Sequence, residues 1–407
     1  MIKRFAQDTF FYMFFSFLNM GVSFLLLPIF ARYLLPEDYG AYALFLTLVM
    51  ICYPIVMLSS HEAVVYVYFN SKLKIERYVG TVVLSGTAIL FLLTLGIFYL
   101  SKIWGGQYAL APLIAFSECV TIVLCHMWRI QERPISYGLF NFFCASLKLL
   151  LNIALVAWWQ LGWQEIIQGQ AVFSFFVIIL VLYFLKKNEW FSLVWDRESV
   201  SLGIRLGIGY IPANLCFRFS DSLGRLFLAG NFSMKDVGIY SMGQKLGGLV
   251  DVYTGAFINV FQPWLFKKLS SSGGKEVKSI ARVVGVACLL LILVAILGGL
   301  VLHILKDFVL TERFRDSFFY VLWAMIAYVM RGMYIISASF IFYSGKTWVM
   351  SSLMIFQLSL NALFTKLFLS YSGMEGVIYA PVLAWFLTLI ASCMVIKWLW
   401  LNDILNP

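Results

Sequence analysis

Six basic residues lie inside stretches of this sequence that are apolar enough to cross a membrane: Lys148, Arg218, Arg225, Lys245, Arg331 and Lys366. Three acids, Glu118, Asp221 and Asp251, share these stretches. A charge in hydrocarbon costs about 2.5–3.5 kcal/mol on insertion scales, so it normally faces a protein interior or a water-filled cavity. Nine such charges indicate a polar cavity through a helical bundle. Because cations outnumber acids, the cavity is expected to receive an anion, as in a transporter.

Polar side chains also recur three and four positions apart, the spacing that places them on one face of a helix. One such stripe contains Asn214, Arg218, Asp221, Ser222 and Arg225. A second contains Tyr137, Asn141, Lys148 and Asn152, and a milder one includes Asn19. We therefore expect these stripes to face the cavity, with four asparagines as uncharged contacts: Asn19, Asn141, Asn152 and Asn214.

The charged residues divide by their expected depth. Lys148 and Arg331 lie near mid-membrane with no acid on their own helix face, which makes them the strongest candidates for substrate contact. Arg218 and Asp221 could instead form a structural ion pair at i and i+3. Snorkelling to the membrane surface is the alternative for the cations nearer that surface: Arg225, Lys245 and Lys366.

The acids Glu118, Asp221 and Asp251 could balance these cations, or they could couple transport to H⁺ or Na⁺. Motifs for an enzyme are missing. Gly345-Lys346-Thr347 has no upstream glycine for a phosphate loop, and His61-Glu62 lacks the second histidine of a zinc-protease helix. His126 is expected at the membrane interface. We predict no catalytic residues, no metal ligands and no cofactor.

Composition excludes an ordinary soluble protein, because 62% of residues are hydrophobic, 12% are charged and the mean hydropathy is +0.89. Apolar runs of about 20 residues, each able to cross a bilayer as a helix, recur along almost the whole chain. Twelve spans are predicted: 9–31, 39–59, 79–100, 108–128, 137–160, 168–185, 206–229, 237–263, 283–304, 317–341, 348–369 and 376–397.

The net charge of +10 is explained by topology rather than by nucleic-acid binding. With the N-terminus in the cytoplasm, the cytoplasmic segments hold eighteen Lys and Arg and the opposite side holds six. This positive-inside bias predicts that both termini are cytoplasmic. The basic segments would contact anionic lipid headgroups of the bilayer.

A repeated turn suggests two related halves. Asp38, Gly40 and Tyr42 follow the first span, and Asp236, Gly238 and Tyr240 keep the same spacing after the seventh. The Asp could cap the next helix, and the Gly could permit a tight turn. We therefore predict an all-α membrane protein of two six-helix lobes, residues 1–185 and 206–407, joined by a cytoplasmic linker at 186–205. The lobes would be related by a pseudo-two-fold axis along the membrane normal.

Three stretches resemble one family of membrane proteins. The run from Leu27 to Gly40 (LPIFARYLLPEDYG) resembles the first-hairpin signature of bacterial polysaccharide-unit flippases of the Wzx type. The stretches 129–137 and 207–241 are similar to the same family, which belongs to the multidrug/oligosaccharidyl-lipid/polysaccharide (MOP) exporter superfamily. One departure is Ala213, where the family often has a histidine after the proline. Any role for that histidine is in doubt in this chain.

The resemblance implies a cargo, an undecaprenyl-diphosphate-linked glycan that is flipped between leaflets of the bacterial inner membrane for O-antigen or other surface polysaccharide. It also implies a polysaccharide polymerase and chain-length proteins as partners. Basic side chains suit a diphosphate independently of the resemblance. The alternatives are a cation-coupled drug exporter of the same superfamily and a membrane glycosyltransferase or polymerase. The short loop at 305–316 argues against the latter enzymes.

Overall fold

Helices form all the regular structure that the computed structural model describes, which covers residues 2–71, 73–100, 106–272, 277–344 and 346–401. Fourteen α-helices occur in these residues: α1 Ile2–Tyr33, α2 Pro36–Val56, α3 Val64–Asn70, α4 Ile75–Leu100, α5 Ala111–Ile130, α6 Pro134–Ile153, α7 Trp163–Lys187, α8 Arg197–Asn231, α9 Met234–Gly247, α10 Leu249–Ser272, α11 Val277–Val309, α12 Ser317–Tyr343, α13 Thr347–Ser372 and α14 Gly376–Leu401. Short 3₁₀ turns precede α5, α12 and α14, and a π-helical turn, Ala154–Trp158, follows α6.

The described helices account for the twelve predicted spans. The short helix α3 is additional, and the predicted span 237–263 is divided into α9 and α10 at Gly248. Eight helical segments are long and apolar enough to cross a membrane, and one of them contains both α13 and α14. Helices α8, α9 and α10 are not among these eight. They carry several of the charged and polar residues singled out in the sequence.

The chain forms two compact units that exchange short segments. The first contains Met1–Leu26 and Ala41–Phe219, and the second contains Leu27–Gly40 and Ser220–Pro407. Each of the long helices α1 and α8 is therefore divided between the units. The segment 186–205 belongs entirely to the first unit and includes the end of α7 and the start of α8. The lobes by helix order, 1–185 and 206–407, stay a prediction.

The two copies of the repeated turn contact each other within the second unit. A Cβ atom on Gly40 would overlap the Met234 carbonyl oxygen, and a Cβ on Gly238 would overlap the Pro36 carbonyl oxygen. Each glycine thus faces the carbonyl four positions before the other. Both lie inside helices rather than in a turn, so the expected tight-turn role is wrong, and close approach of two backbones is what requires glycine here.

The other expectation for this turn, that its Asp caps the next helix, is met only in part in the second copy. The N-cap residue of α9 is Ser233, whose hydroxyl accepts from the Asp236 N–H, and the Asp236 carboxylate accepts in return from the backbone N–H of Ser233. This reciprocal arrangement is a capping box, which satisfies two of the free N–H groups at a helix start.

Small residues hold α9 close to α12 in the second unit. A Cβ on Gly243 would meet the carbonyl oxygen of Ser317 at 2.5 Å, and a Cβ on Gly247 would meet Ala324 Cβ at 2.6 Å. Glycines four positions apart lie on one face of a helix and let two helices approach closely in a membrane. This contact fixes α9, and with it Gln244, beside α12.

Candidate functional site

A buried arginine lies at the centre of the charged residues in the second unit. Arg331 of α12 is 5% exposed, and its Nη1 donates to both carboxylate oxygens of Asp221 of α8, at 2.9 and 2.8 Å. The same Nη1 lies 3.4 Å from Oδ2 of Asp251 of α10. Two carboxylates therefore share one guanidinium. The other oxygen of Asp251, Oδ1, is buried without a hydrogen-bond partner among the described residues.

A second arginine joins the same network through an amide. Arg225 of α8 is buried and donates from Nε and Nη2 to the Gln244 side-chain oxygen, at 3.2 and 2.9 Å. The Gln244 amide nitrogen donates in turn to the Asp221 backbone carbonyl at 3.0 Å. Four helices, α8, α9, α10 and α12, thus converge on one network, which we call the arginine cluster: Asp221, Arg225, Gln244, Asp251 and Arg331.

Aromatic and polar side chains form a small recess beside the arginine cluster. The Arg331 guanidinium carbon lies 5.7 Å from the ring centres of both Tyr328 and Trp385. The recess is lined by these two rings together with Tyr240, Asp221 and Ser220, among others. An aromatic face attracts a cation, so the rings add to the carboxylates in holding the guanidinium.

A different cluster occupies the first unit, at the turn between α2 and α3. Glu62 lies between two histidines, with Oε1 3.7 Å from His61 Nε2 and Oε2 3.6 Å from His126 Nε2. His61 is fully buried and meets the edge of the Tyr53 ring at a centroid distance of 5.0 Å. His61 lies in the turn after α2, outside the spanning segments, and desolvation by burial lowers its pKa to about 4. We call His61, Glu62 and His126 the histidine cluster.

Arg218 connects to the histidine cluster through the same tyrosine. Its guanidinium carbon lies 3.6 Å from the centre of the Tyr53 ring, an in-contact cation–π geometry. The sequence suggests only a broken motif at His61-Glu62 and an interfacial position for His126, so this cluster is not predicted from it. No spacing along the sequence relates His126 to His61 and Glu62, because they are brought together only by tertiary packing.

Solved structures with the same fold are membrane transporters. A Vibrio cholerae MATE transporter, VcmN, is 15% identical, with a TM-score of 0.68 over 100% of this chain and 98% of that chain. A multidrug resistance MATE family transporter of the MOP superfamily matches in its inward-facing conformation, with a TM-score of 0.70, 12% identity and 95% of each chain covered. The chain has the MATE fold. The predicted all-α membrane architecture is thereby confirmed.

Sequence comparison adds relatives but no family. No protein-family model matches the chain. A Haemophilus influenzae protein named for the Lsg locus is 24% identical over 386 residues, which is 90% of this chain and 94% of that protein. A second H. influenzae protein, described as a membrane protein, is 24% identical over 80% of this chain and 81% of its own length. The MATE-fold chain is therefore a multi-pass membrane protein.

Of the cations predicted from the sequence, Arg225 and Arg331 lie in the arginine cluster, whereas the others lie outside it. Arg331 was expected without an acid on its own helix, and its partners come instead from α8 and α10. Asp221 pairs with Arg331, and Arg218 lies against Tyr53. Arg225 is buried rather than snorkelling. Lys245 and Lys366 are exposed on the second unit, where the snorkelling alternative remains open.

The remaining expected residues lie in the first unit. Lys148 of α6 is half-buried, and its backbone carbonyl accepts from Asn152 Nδ2 at 2.6 Å. Asn152 is fully buried and accepts from Gln170, which also donates to the Tyr42 hydroxyl. The Asn141 side-chain amide donates to the Tyr137 carbonyl at 2.7 Å.

The other three predicted residues of the first unit differ in exposure. Glu118 is exposed, whereas Asn19 and Asn214 are half-buried. Their roles in binding stay predictions.

Proposed function

We propose that this chain is a transporter that moves an undecaprenyl-diphosphate-linked oligosaccharide across the bacterial inner membrane by alternating access. The MATE fold supports membrane transport. The anionic character of the cargo is supported by one observation above all, the buried Arg331 held by carboxylates that a phosphate could replace. A phosphate oxygen is a charged acceptor for a guanidinium, as the Asp221 carboxylate is, so a diphosphate could take the place of Asp221 at Arg331.

The arginine cluster suits an exchange of partners. When a diphosphate takes over Arg331, Asp221 loses its counter-charge and becomes able to bind H⁺ or Na⁺. Asp251 would do the same with its buried Oδ1. Binding of the cargo and binding of the coupling ion would then favour each other, which is a free-energy coupling between the two events. Glu118 on the first unit is a further candidate for the coupling ion.

A drug exporter of the same superfamily is the second candidate, and one observation favours it. The recess beside Asp221 is lined by Tyr240, Tyr328 and Trp385, aromatic rings of the kind that attract organic cations, and at about 10 Å³ it would have to widen to admit one. In that case Asp221 itself would contact the cargo, and Lys148 would have no part in binding.

The two candidates differ in the residues on which they depend. In a strain lacking its own flippase, we expect the wild-type chain to restore surface polysaccharide and both Lys148→Gln and Arg331→Gln to abolish it. Membrane levels should stay unchanged in Lys148→Gln and fall in Arg331→Gln, which leaves two carboxylates uncompensated. Lys148→Gln is the cleaner variant, because no partner of its ammonium lies among the described residues. Lys397→Gln, an exposed cation, is the matched control.

Two results would decide against the flippase. One is normal surface polysaccharide in both the Lys148 and the Arg331 variants. The other is efflux of ethidium, a cationic dye, that survives Lys148→Gln and is lost in Asp221→Asn. The second result would establish the exporter instead.

A further inference from the structure

An open groove lies where three helices of the first unit end together. The C-terminal ends of α5 and α7 and the start of α6 border this groove, which has a volume of about 580 Å³. Arg133, Ser136, Lys187 and Asn188 form its polar edge. All three helices belong to segments apolar enough to span a membrane, and the polar edge lies at or just beyond their ends. The edge is therefore at the level of lipid headgroups, whichever way the chain is inserted.

The groove has a rigid aromatic floor and an apolar lower wall. Trp128, Phe140 and Phe184 contact one another edge to face, with centroid distances of 5.4, 5.8 and 6.0 Å. Below the polar edge, Leu139 and Phe143 of α6 are each 54% exposed. This wall would lie against hydrocarbon in a bilayer. A ligand that fits both parts has an anionic head and an apolar tail.

The cations at the edge are held in place by the fold. Arg133 Nη1 donates to Asn188 Oδ1 at 3.3 Å, which links the ends of α5 and α7. Both helices end in the same way: Glu132 and Glu189 adopt positive φ, and the next residue donates to a carbonyl five positions back. This Schellman geometry ends each helix next to a cation that lines the groove, Arg133 after α5 and Lys187 at the end of α7. The two glutamates do not line the groove.

We propose that this groove binds an anionic phospholipid, with its phosphate between Arg133 and Lys187 and an acyl chain along Leu139 and Phe143. Basic pockets between membrane helices bind phosphate-bearing lipid heads in this way. Ser136 and Asn188 would donate hydrogen bonds to the head group. The site is separate from the arginine cluster and does not depend on the proposed cargo, because its residues belong to the first unit alone.

Native mass spectrometry of the full chain, purified and exposed to equimolar dioleoylphosphatidylglycerol and dioleoylphosphatidylcholine, tests the site. We expect preferential retention of the anionic lipid, and a fall in that preference of about fivefold for each cation removed in Arg133→Gln and Lys187→Gln. The double variant should approach parity. Both side chains are exposed, so neither change leaves a cavity in the core. Lys278→Gln with Arg282→Gln, two exposed cations at the start of α11, is the matched control.

An unchanged preference in the double variant would overturn the proposal, as would an equal loss in the control pair. A third arm adds farnesyl diphosphate as a competitor. If this isoprenoid displaces phosphatidylglycerol at equal concentration, the groove recognises the diphosphate cargo rather than a phospholipid, and the assignment fails. Failure of the flippase proposal would leave the lipid preference unaffected.

Discussion

The two carboxylates that contact the Arg331 guanidinium are not equivalent. Asp221 uses both oxygens at hydrogen-bond distance, whereas Asp251 approaches with one oxygen at 3.4 Å. Removing one partner of a buried pair leaves the other charge uncompensated, and this costs more than the pair itself contributes. The two acids should therefore differ in what their loss does.

We expect Asp221→Asn to lower the free energy of unfolding by about 3–5 kcal/mol, the usual cost of breaking a buried ion pair. Asp251→Asn should cost clearly less, because Arg331 keeps its closer carboxylate, with Asp221 oxygens at 2.9 and 2.8 Å from Nη1. Thermal unfolding in detergent measures both. Asp307→Asn is the control, since the Asp307–Arg315 pair has side chains 73% and 68% exposed. Equal losses at 221 and 251 would contradict this account.

His61 makes the turn after α2 sensitive to acid. Its pKa is lowered by burial from 6.5 to about 4, so the folded state binds the proton more weakly than the unfolded state. The stabilisation is complete above pH 6.5 and is lost as the pH falls towards 4. Glu62, His126 and Arg218 are the charged or titratable groups that affect the pKa of His61.

We expect the melting temperature of the wild-type chain to fall between pH 7 and pH 4.5 more steeply than that of His61→Gln. Full protonation of His61 would account for about 3 kcal/mol, at 1.36 kcal/mol per pKa unit. His303→Gln is the matched control, because His303 is exposed on α11. Parallel pH profiles for the wild type and His61→Gln would refute the assignment.

At the scale of helices, the contact between α2 and α9 depends on two backbones meeting without side chains. Because a Cβ on either glycine would overlap a carbonyl oxygen, the helix starts must separate if either residue is enlarged. Overpacking of this kind typically costs 1–3 kcal/mol.

Gly40→Ala and Gly238→Ala are each expected to speed amide hydrogen exchange at both helix starts, 36–42 and 234–240, and to lower transport. The effect should appear at both starts in either variant, since each glycine packs on the other's helix. Gly21→Ala is the control, because nothing lies within 4 Å of its would-be Cβ. Exchange that changes only around the substituted residue would show that the helix starts do not depend on each other.

Helix-scale features were also the part that the sequence predicted best. The twelve spans could be predicted from hydropathy because a long apolar run is a local property of the chain. The division of the eighth span at Gly248 was missed, since glycine is common in membrane helices and hydropathy does not register a break. The GxxxG face of α9 was present in the sequence, but its partner α12 could not be read from spacing.

For the whole molecule, the sequence showed which charges are present and could not show how they pair. Spacing along one helix suggested Arg218 with Asp221, yet Asp221 meets Arg331, which is 110 positions away. The histidine cluster could not be predicted for the same reason. His61, in the turn after α2, and His126 of α5 come together only through tertiary packing. Long-range pairing is decided by tertiary contacts, to which a single sequence gives no direct access.

The reciprocal contact between Gly40 and Gly238 has a consequence for how this sequence evolves. Two segments in opposite halves of the chain each serve as the docking surface of the other, so a bulky change in either one damages both. Selection would then act on the pair as a single unit. Among relatives of this chain, the residues at the two positions should change together. A larger residue at one position should be accompanied by a compensating substitution at or near the other.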